Sequence, residues 1–301
     1  MDRIIGEIPG KGKKQLLIAI AAMHGNEPAG IAATERVLDI LRAKQDQFKG
    51  RFIAIKGNVK ASNTKRRYLK QDLNRIWTDD NIAFANSLTD FEDYPEHEEL
   101  LEIHGLIANK LKDGYDEVTI IDLHTTSANG GVFIACNDEE IHKNLVRRLH
   151  VPVILNLAKD LEGTAMQYYW DMGHLAFAFE GGNHYNPESV NNMESALWLC
   201  LEYMGMINRR HFSNIEFHDR RLIKSTEGLP HFCLLVHHHP ISTEDEFVMK
   251  PGYVNFQHVT KGEVLAIDRN GEIRCPQNGR ILMPLYQPQG TDGYFLVEEL
   301  N

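Results

Sequence analysis

His24 and Glu27 place an imidazole and a carboxylate three residues apart. Both are ordinary zinc ligands, and from one turn they can share an ion. The spacing also arises by chance in many chains, so it needs support from elsewhere. His124 supplies it, because it too ends an apolar run and meets small polar residues, Thr125 and Thr126. Two histidines and a glutamate, with a fourth position left to water, form the ligand set of a hydrolytic zinc site. One zinc ion per chain held there lowers the pKa of its water to about 7. A base must still take the remaining proton. Glu180 ends another apolar run and is the candidate, although many glutamates merely close a strand. The adjoining Gly181 and Gly182 permit close backbone approach and favour the functional reading. Asp122 lies two residues before His124, on the same face of a strand. There it either hydrogen-bonds a ligand histidine or serves as a plain structural carboxylate.

These side chains need a frame. Residues 16–23 are apolar without alternation, which predicts a strand buried on both faces. The run stops at His24. Pro28 suits the first turn of a helix, which Ile31, Val37, Leu38 and Leu41 continue at helical spacing. His24 and Glu27 then sit at the carboxyl end of a strand, the edge where open α/β sheets bind ligands. Residues 51–56 read as a second strand and complete a parallel pair with a right-handed crossover. Residues 57–93 show no sustained period, and so long an irregular stretch is functional or mobile. They carry Arg66, Arg67, Asn74 and Arg75. An amphipathic helix is predicted over 95–112. Strand and helix signals follow at 118–124, 131–136, 139–149 and 151–155. Residues 175–180 read as the last buried strand, and 187–207 as a closing helix. Past about residue 210, short strand-like pieces alternate with turn signals such as Lys250-Pro251-Gly252 and Arg269-Asn270-Gly271. The expected fold class is α/β: a mixed, mostly parallel sheet flanked by helices, with a small C-terminal all-β domain. The expected division is a catalytic domain over 1–210 and a β-domain over 211–301. His237-His238-His239 is not read as a metal tract, since consecutive strand side chains point to opposite faces.

At 301 residues, with 43% hydrophobic and 25% charged content, the chain has the composition of an ordinary globular protein. Its net charge of -10 argues against a general nucleic-acid binder. Four scattered cysteines without a C-x-x-C pair read as reduced, buried thiols. No signal peptide is visible, and no apolar run approaches the roughly 20 residues that span a bilayer. A cytoplasmic location without membrane contact is expected, with assembly into a homo-oligomer left open.

The ordered motifs His24-Gly25-Asn26-Glu27, Asp72-Leu73-Asn74-Arg75, Asp122-Leu123-His124-Thr125-Thr126 and Phe179-Glu180-Gly181-Gly182 together resemble the succinylglutamate desuccinylase/aspartoacylase family. That family lies within the wider group of zinc carboxypeptidase-like folds. The resemblance implies that Asn74 and Arg75 hold a substrate carboxylate, for which guanidinium has paired donors. It implies that Arg67 helps zinc stabilise the tetrahedral oxyanion, that Glu180 is the base, and that Tyr286 reaches the pocket from the β-domain. Arg66 reads as a surface charge. One departure matters: the N-acetylaspartate enzymes carry a further arginine roughly ten residues before the base, whereas this chain has Tyr168-Tyr169-Trp170-Asp171. An aromatic wall there would favour an apolar group over a second carboxylate. The expected function is a zinc-dependent amidohydrolase acting on a small N-acyl amino acid. Its rivals are a zinc carboxypeptidase using the same carboxylate clamp and a non-catalytic metal-bound binding protein.

Overall fold

The structure is a computed structural model that describes residues 2–136, 144, 148–212 and 214–300. Its strands are β1 (Ile4–Pro9), β2 (Lys11–Ala21), β3 (Lys49–Lys56), β4 (Glu117–Thr126), β5 (Phe133–Cys136), β6 (Val153–Leu155) and β7 (Leu175–Asn183). The C-terminal part adds β8 (Phe232–Pro240), β9 (Val248–Met249), β10 (His258–Val259), β11 (Val264–Asp268), β12 (Gly271–Arg274), β13 (Gly279–Leu282) and β14 (Asp292–Glu299). One sheet runs in the order β1-β3-β2-β4-β7-β5-β6-β8-β14-β13-β10. Its centre, β3-β2-β4-β7, is parallel. Chain direction along the sheet reverses at β2, with β3 on one side and β4 on the other, so the β2 end is a topological switch point.

β2 explains the layering. Leu16, Ile18 and Ile20 face one apolar cluster, and Leu17 and Ala19 face the other, all fully buried. Strand side chains alternate, so an unbroken apolar run fills both faces at once. On one side the helices Ala29–Ala43 and Glu188–Tyr203 contribute Ala33, Val37, Leu38, Leu41, Met193 and Leu197. On the other, Pro95–Leu111 contributes Leu100, Ile103 and Ile107, and Ala165–Asp171 contributes Tyr169. Each such large side chain taken fully out of water stabilises the fold by about 1.5–3 kcal/mol before entropy is counted. The helix expected over 139–149 falls mostly outside the described residues.

The apolar packing of the first part continues past residue 210. Phe212, Ile215 and Leu222, the latter two on the helix Ile215–Ser225, pack into the first apolar cluster against Trp198 and its neighbours. The β-rich part begins at β8, which pairs parallel with β6 and antiparallel with β14. The main sheet therefore continues into the C-terminal part, beside a separate β12-β11-β9 sheet. The four cysteines are buried. Among the described residues no helix is long and apolar enough to cross a membrane.

Candidate active site

The turn after β2 is shaped by close packing. A Cβ on Gly25 would lie 2.3 Å from the Ala61 carbonyl carbon and the Ser62 nitrogen, so only glycine lets the turn rest on the helix Val59–Thr64. Pro28 caps the helix that starts at Ala29. This swings Glu27 under the ends of β2 and β4, where Thr125 N–H donates to its Oε2 at 2.8 Å. His24 Nδ1 lies 2.9 Å from Glu27 Oε1, and His124 Nδ1 lies 3.2 Å from Glu27 Oε2. The two rings are 4.9 Å apart. One ligand atom from each of the three residues falls within 4.8 Å of the others, and all three residues are buried.

The ring nitrogens turned away from Glu27 face carboxylates: His24 Nε2 lies 3.1 Å from Asp72 Oδ1, and His124 Nε2 lies 2.8 Å from Asp122 Oδ2. The second is a close contact of buried charge-bearing groups, His124 Nε2 and both Asp122 oxygens having no other hydrogen-bond partner. Acid behind imidazole is how proteins orient a metal-binding histidine. Burial would push the His124 imidazole down, but Asp122 and Glu27 outweigh it and hold it well above its ordinary range. Burial likewise opposes ionisation of Glu27 and Asp72, but the interactions of Glu27 with His24 and His124, and of Asp72 with Arg67 and His24, keep both well below the usual carboxylate range. Two imidazoles converging on one carboxylate form a donor set that fits a divalent cation such as zinc.

Glu180 stands beside His124 as its register partner on β7, and opposite Phe133 of β5. Its Oε2 is buried with no hydrogen-bond partner. Burial pushes its carboxyl up to about 8, the direction expected for a group that must exchange a proton near neutral pH. A cation bound beside it would pull that value down.

The loop that carries the arginines is pinned from outside. The buried Glu96 carboxylate accepts from the backbone N–H groups of Leu69 (2.7 Å), Lys70 (3.2 Å) and Gln71 (3.2 Å). Asp72 ties this loop to the histidine corner, because Arg67 Nε donates to its Oδ2 at 3.0 Å while its Oδ1 faces His24. Arg67 Nη1 is 3.6 Å from Glu27 Oε1. Asn74 accepts from Ala165 N–H at 3.0 Å, so its amide N–H groups are what it can offer a ligand. Gly163, at φ +70°, would bring a Cβ within 2.4 Å of the Arg75 carbonyl oxygen, so this crossing also needs glycine.

One pocket gathers His24, Glu27, Arg67, Asn74, Arg75, His124 and Glu180. Tyr286, expected there, is not among its lining residues. Its hydroxyl donates to the Lys250 carbonyl at 2.8 Å and accepts from Tyr253 N–H at 2.9 Å. Its neighbours Leu285 and Gln287 line the pocket instead. The expected aromatic wall also needs correction. Tyr169 is buried against Trp77, Tyr168 packs on His104 and Trp77, and Trp170 lines a separate depression with Tyr115. The helical period turns Tyr169 into the core and leaves Tyr168 and Trp170 half-buried against it, and only Met166 of that helix reaches the pocket. The apolar wall includes Leu157, Leu161, Met166, Met283, Leu285 and Phe295. Sequence reading also missed Asp292, which meets Arg75, and the role of Asp72, although Asp72 opens one of the four motifs.

The fold is a sheet with parallel central strands whose carboxyl ends present a His-Glu-His group that could hold a metal ion, beside a buried carboxylate. The chain belongs to the succinylglutamate desuccinylase/aspartoacylase family, whose catalytic-domain model matches residues 12–204. It is 24% identical over 204 residues to a probable aspartoacylase from a Nostoc species, covering 65% of this chain and 66% of that one. It is 30% identical over 111 residues to a succinylglutamate desuccinylase from Erwinia tasmaniensis, covering 36% of this chain and 32% of that one. These matches thus span less than two thirds of the relatives' lengths. The fold is shared with a succinylglutamate desuccinylase/aspartoacylase structure from Rhodobacter sphaeroides (TM-score 0.66, 15% identity, 98% of this chain and 88% of that one).

Proposed function

We propose that this chain is a zinc-dependent amidohydrolase that cleaves an N-acyl amino acid into a free amino acid and a carboxylate. The observation that carries the reading is the convergence of His24 Nδ1 and His124 Nδ1 on Glu27, with the unpartnered Glu180 oxygen on the next strand. His24, Glu27 and His124 would hold the ion, which when bound acidifies water and polarises the amide carbonyl. Arg75 and Asn74 receive the substrate carboxylate and fix the amide in the pocket. Arg67 presents a cation held by Asp72 toward the oxygen that gains charge. Glu180 takes a proton from the attacking water and returns it to the leaving nitrogen, which must depart as an amine. The wall of Leu157, Leu161, Met166 and Phe295 suits an apolar group, so N-acyl derivatives of neutral amino acids are the preferred substrates.

The test is hydrolysis of a mixed panel of N-acyl amino acids and short peptides, with metal content measured on the same preparation. N-acetyl-leucine and N-acetyl-phenylalanine should be turned over faster than N-acetylaspartate. The variant Glu180→Gln should keep its metal and lose about 10²–10⁴-fold in kcat. Cleavage of peptides alone would favour a carboxypeptidase, and no turnover with a full metal site would favour a binding protein.

A further inference from the structure

Arg75, the group assigned to the substrate carboxylate, does not stand free. Its Nη2 lies 2.6 Å from Asp292 Oδ2, and its Nη1 donates to the Asn74 carbonyl at 2.8 Å. Asp292 opens β14, 217 residues along the chain from Arg75. Its second oxygen, Oδ1, is 2.9 Å from His238 Nε2, and His238 Nδ1 is 2.7 Å from Asp160 Oδ2. The row Arg75–Asp292–His238–Asp160 leads from the pocket, lined by Arg75 and Asp292, to the surface depression that holds His238 and Asp160. With His238 protonated, its two cations and two anions cancel. Arg67, the pocket's other guanidinium, is engaged by Asp72 and Glu27. Among the described residues lining the pocket, each guanidinium already has an acidic neighbour.

Arg75 can still receive one carboxylate, since a guanidinium has five N–H donors and two are spent. Asp292 also lines the pocket, so a second carboxylate brought near it would meet a cation that Asp292 already neutralises. Like charges in a poorly hydrated pocket repel strongly. We infer that Asp292 is a specificity-determining residue: it matches the pocket to N-acyl amino acids with a single carboxylate and disfavours dicarboxylic ones. His238 sets the strength of that effect, because a cation behind Asp292 offsets its charge. This inference rests on the deacylase reading above.

The experiment compares kcat/KM for N-acetylaspartate with that for N-acetyl-leucine in the metal-loaded full chain. Calorimetric affinities for aspartate and leucine give a readout independent of turnover. Asp292→Asn keeps the shape and removes the charge, and the aspartate-to-leucine ratio should rise about tenfold. A rise of about threefold or more supports the assignment, and a smaller rise, no change or a fall overturns it. His238→Gln removes the offsetting cation, so the ratio should fall by about threefold or more, and any other result overturns the assignment. If Asp292→Asn lacks a cooperative melting transition, the His238 variant decides alone. Wild-type protein that hydrolyses no N-acyl amino acid would sink the deacylase reading and the inference with it. Wild-type turnover with ratios unmoved in the variants would sink only the role of Asp292.

Discussion

The histidine corner and the arginine corner of the pocket adjoin, yet they are held in place by different means. β2 delivers His24 and Glu27, β4 delivers His124 and β7 delivers Glu180, with His124 and Glu180 at paired positions on neighbouring strands. Once the sheet forms, little freedom remains there. The arginines instead ride on an irregular loop, fastened by Glu96 under residues 69–71, by Ala165 on Asn74 and by Asp292 on Arg75. In the proposed reading the metal ligands and the base thus sit at the ends of sheet strands, whereas the carboxylate clamp sits where distant segments meet. A site built on strands is positioned more tightly than one built on a loop.

The largest expected effect would break the histidine corner alone. His24→Ala and His124→Ala should each take bound metal from about one ion per chain to nearly none, because two ligands do not hold a tetrahedral ion. Elemental analysis of purified protein checks this, and full occupancy in either variant would remove that residue from the ligand set.

Glu96→Ala should do the reverse. Three backbone N–H groups lose a shared acceptor, so stability should fall by about 1–3 kcal/mol. KM should rise about tenfold as Arg67, Asn74 and Arg75 loosen, with metal content unchanged. Melting curves, metal analysis and steady-state kinetics on one preparation separate these effects. Loss of metal would mean that the corners are not independent.

The smallest effect is in pH dependence and concerns the row behind Arg75. Burial pushes the His238 imidazole down, but Asp292 and Asp160 outweigh it and its pKa lies above the ordinary value. A histidine shifted this way stabilises the fold fully below its unfolded value of about 6.5, and the contribution is lost as pH rises through the folded value. Asp292 shifts the opposite way: burial raises it, while the hydrogen bond from His238 and the charge of Arg75 lower it further. Its contribution is present above about 3.9 and is lost as pH falls through the depressed value. The melting temperature of wild type should therefore exceed that of His238→Gln most clearly near about pH 5–6, with the gap closing toward alkaline pH. A gap that stays constant across the range would show that His238 carries no charge in this row.

What could be read from the chain alone was local. An apolar run ending in His24, another ending in His124 and a third ending in Glu180 announced buried strands with chemistry at their tips. The reason is physical: a strand buried on both faces is mostly apolar, so polar residues gather towards its end, although β4 and β7 run on past His124 and Glu180 to Thr126 and Asn183. Arg67, Asn74 and Arg75 were reached only through the resemblance, since an irregular loop has no period to read.

The tertiary structure decided the rest. Tyr168, Tyr169 and Trp170 looked like a pocket wall, but the register of a short helix buried or diverted all three rings. Tyr286 spent its hydroxyl within the β-rich part, while Gln287, one position on, came into the pocket. The pairing of Arg75 with Asp292 spans 217 residues and depends on β14 pairing with β8 inside the common sheet. Local sequence sets which side chains end a strand; only the packing of distant segments sets which charges meet, because Coulomb and hydrogen-bond energies depend on distances that no spacing along the chain records.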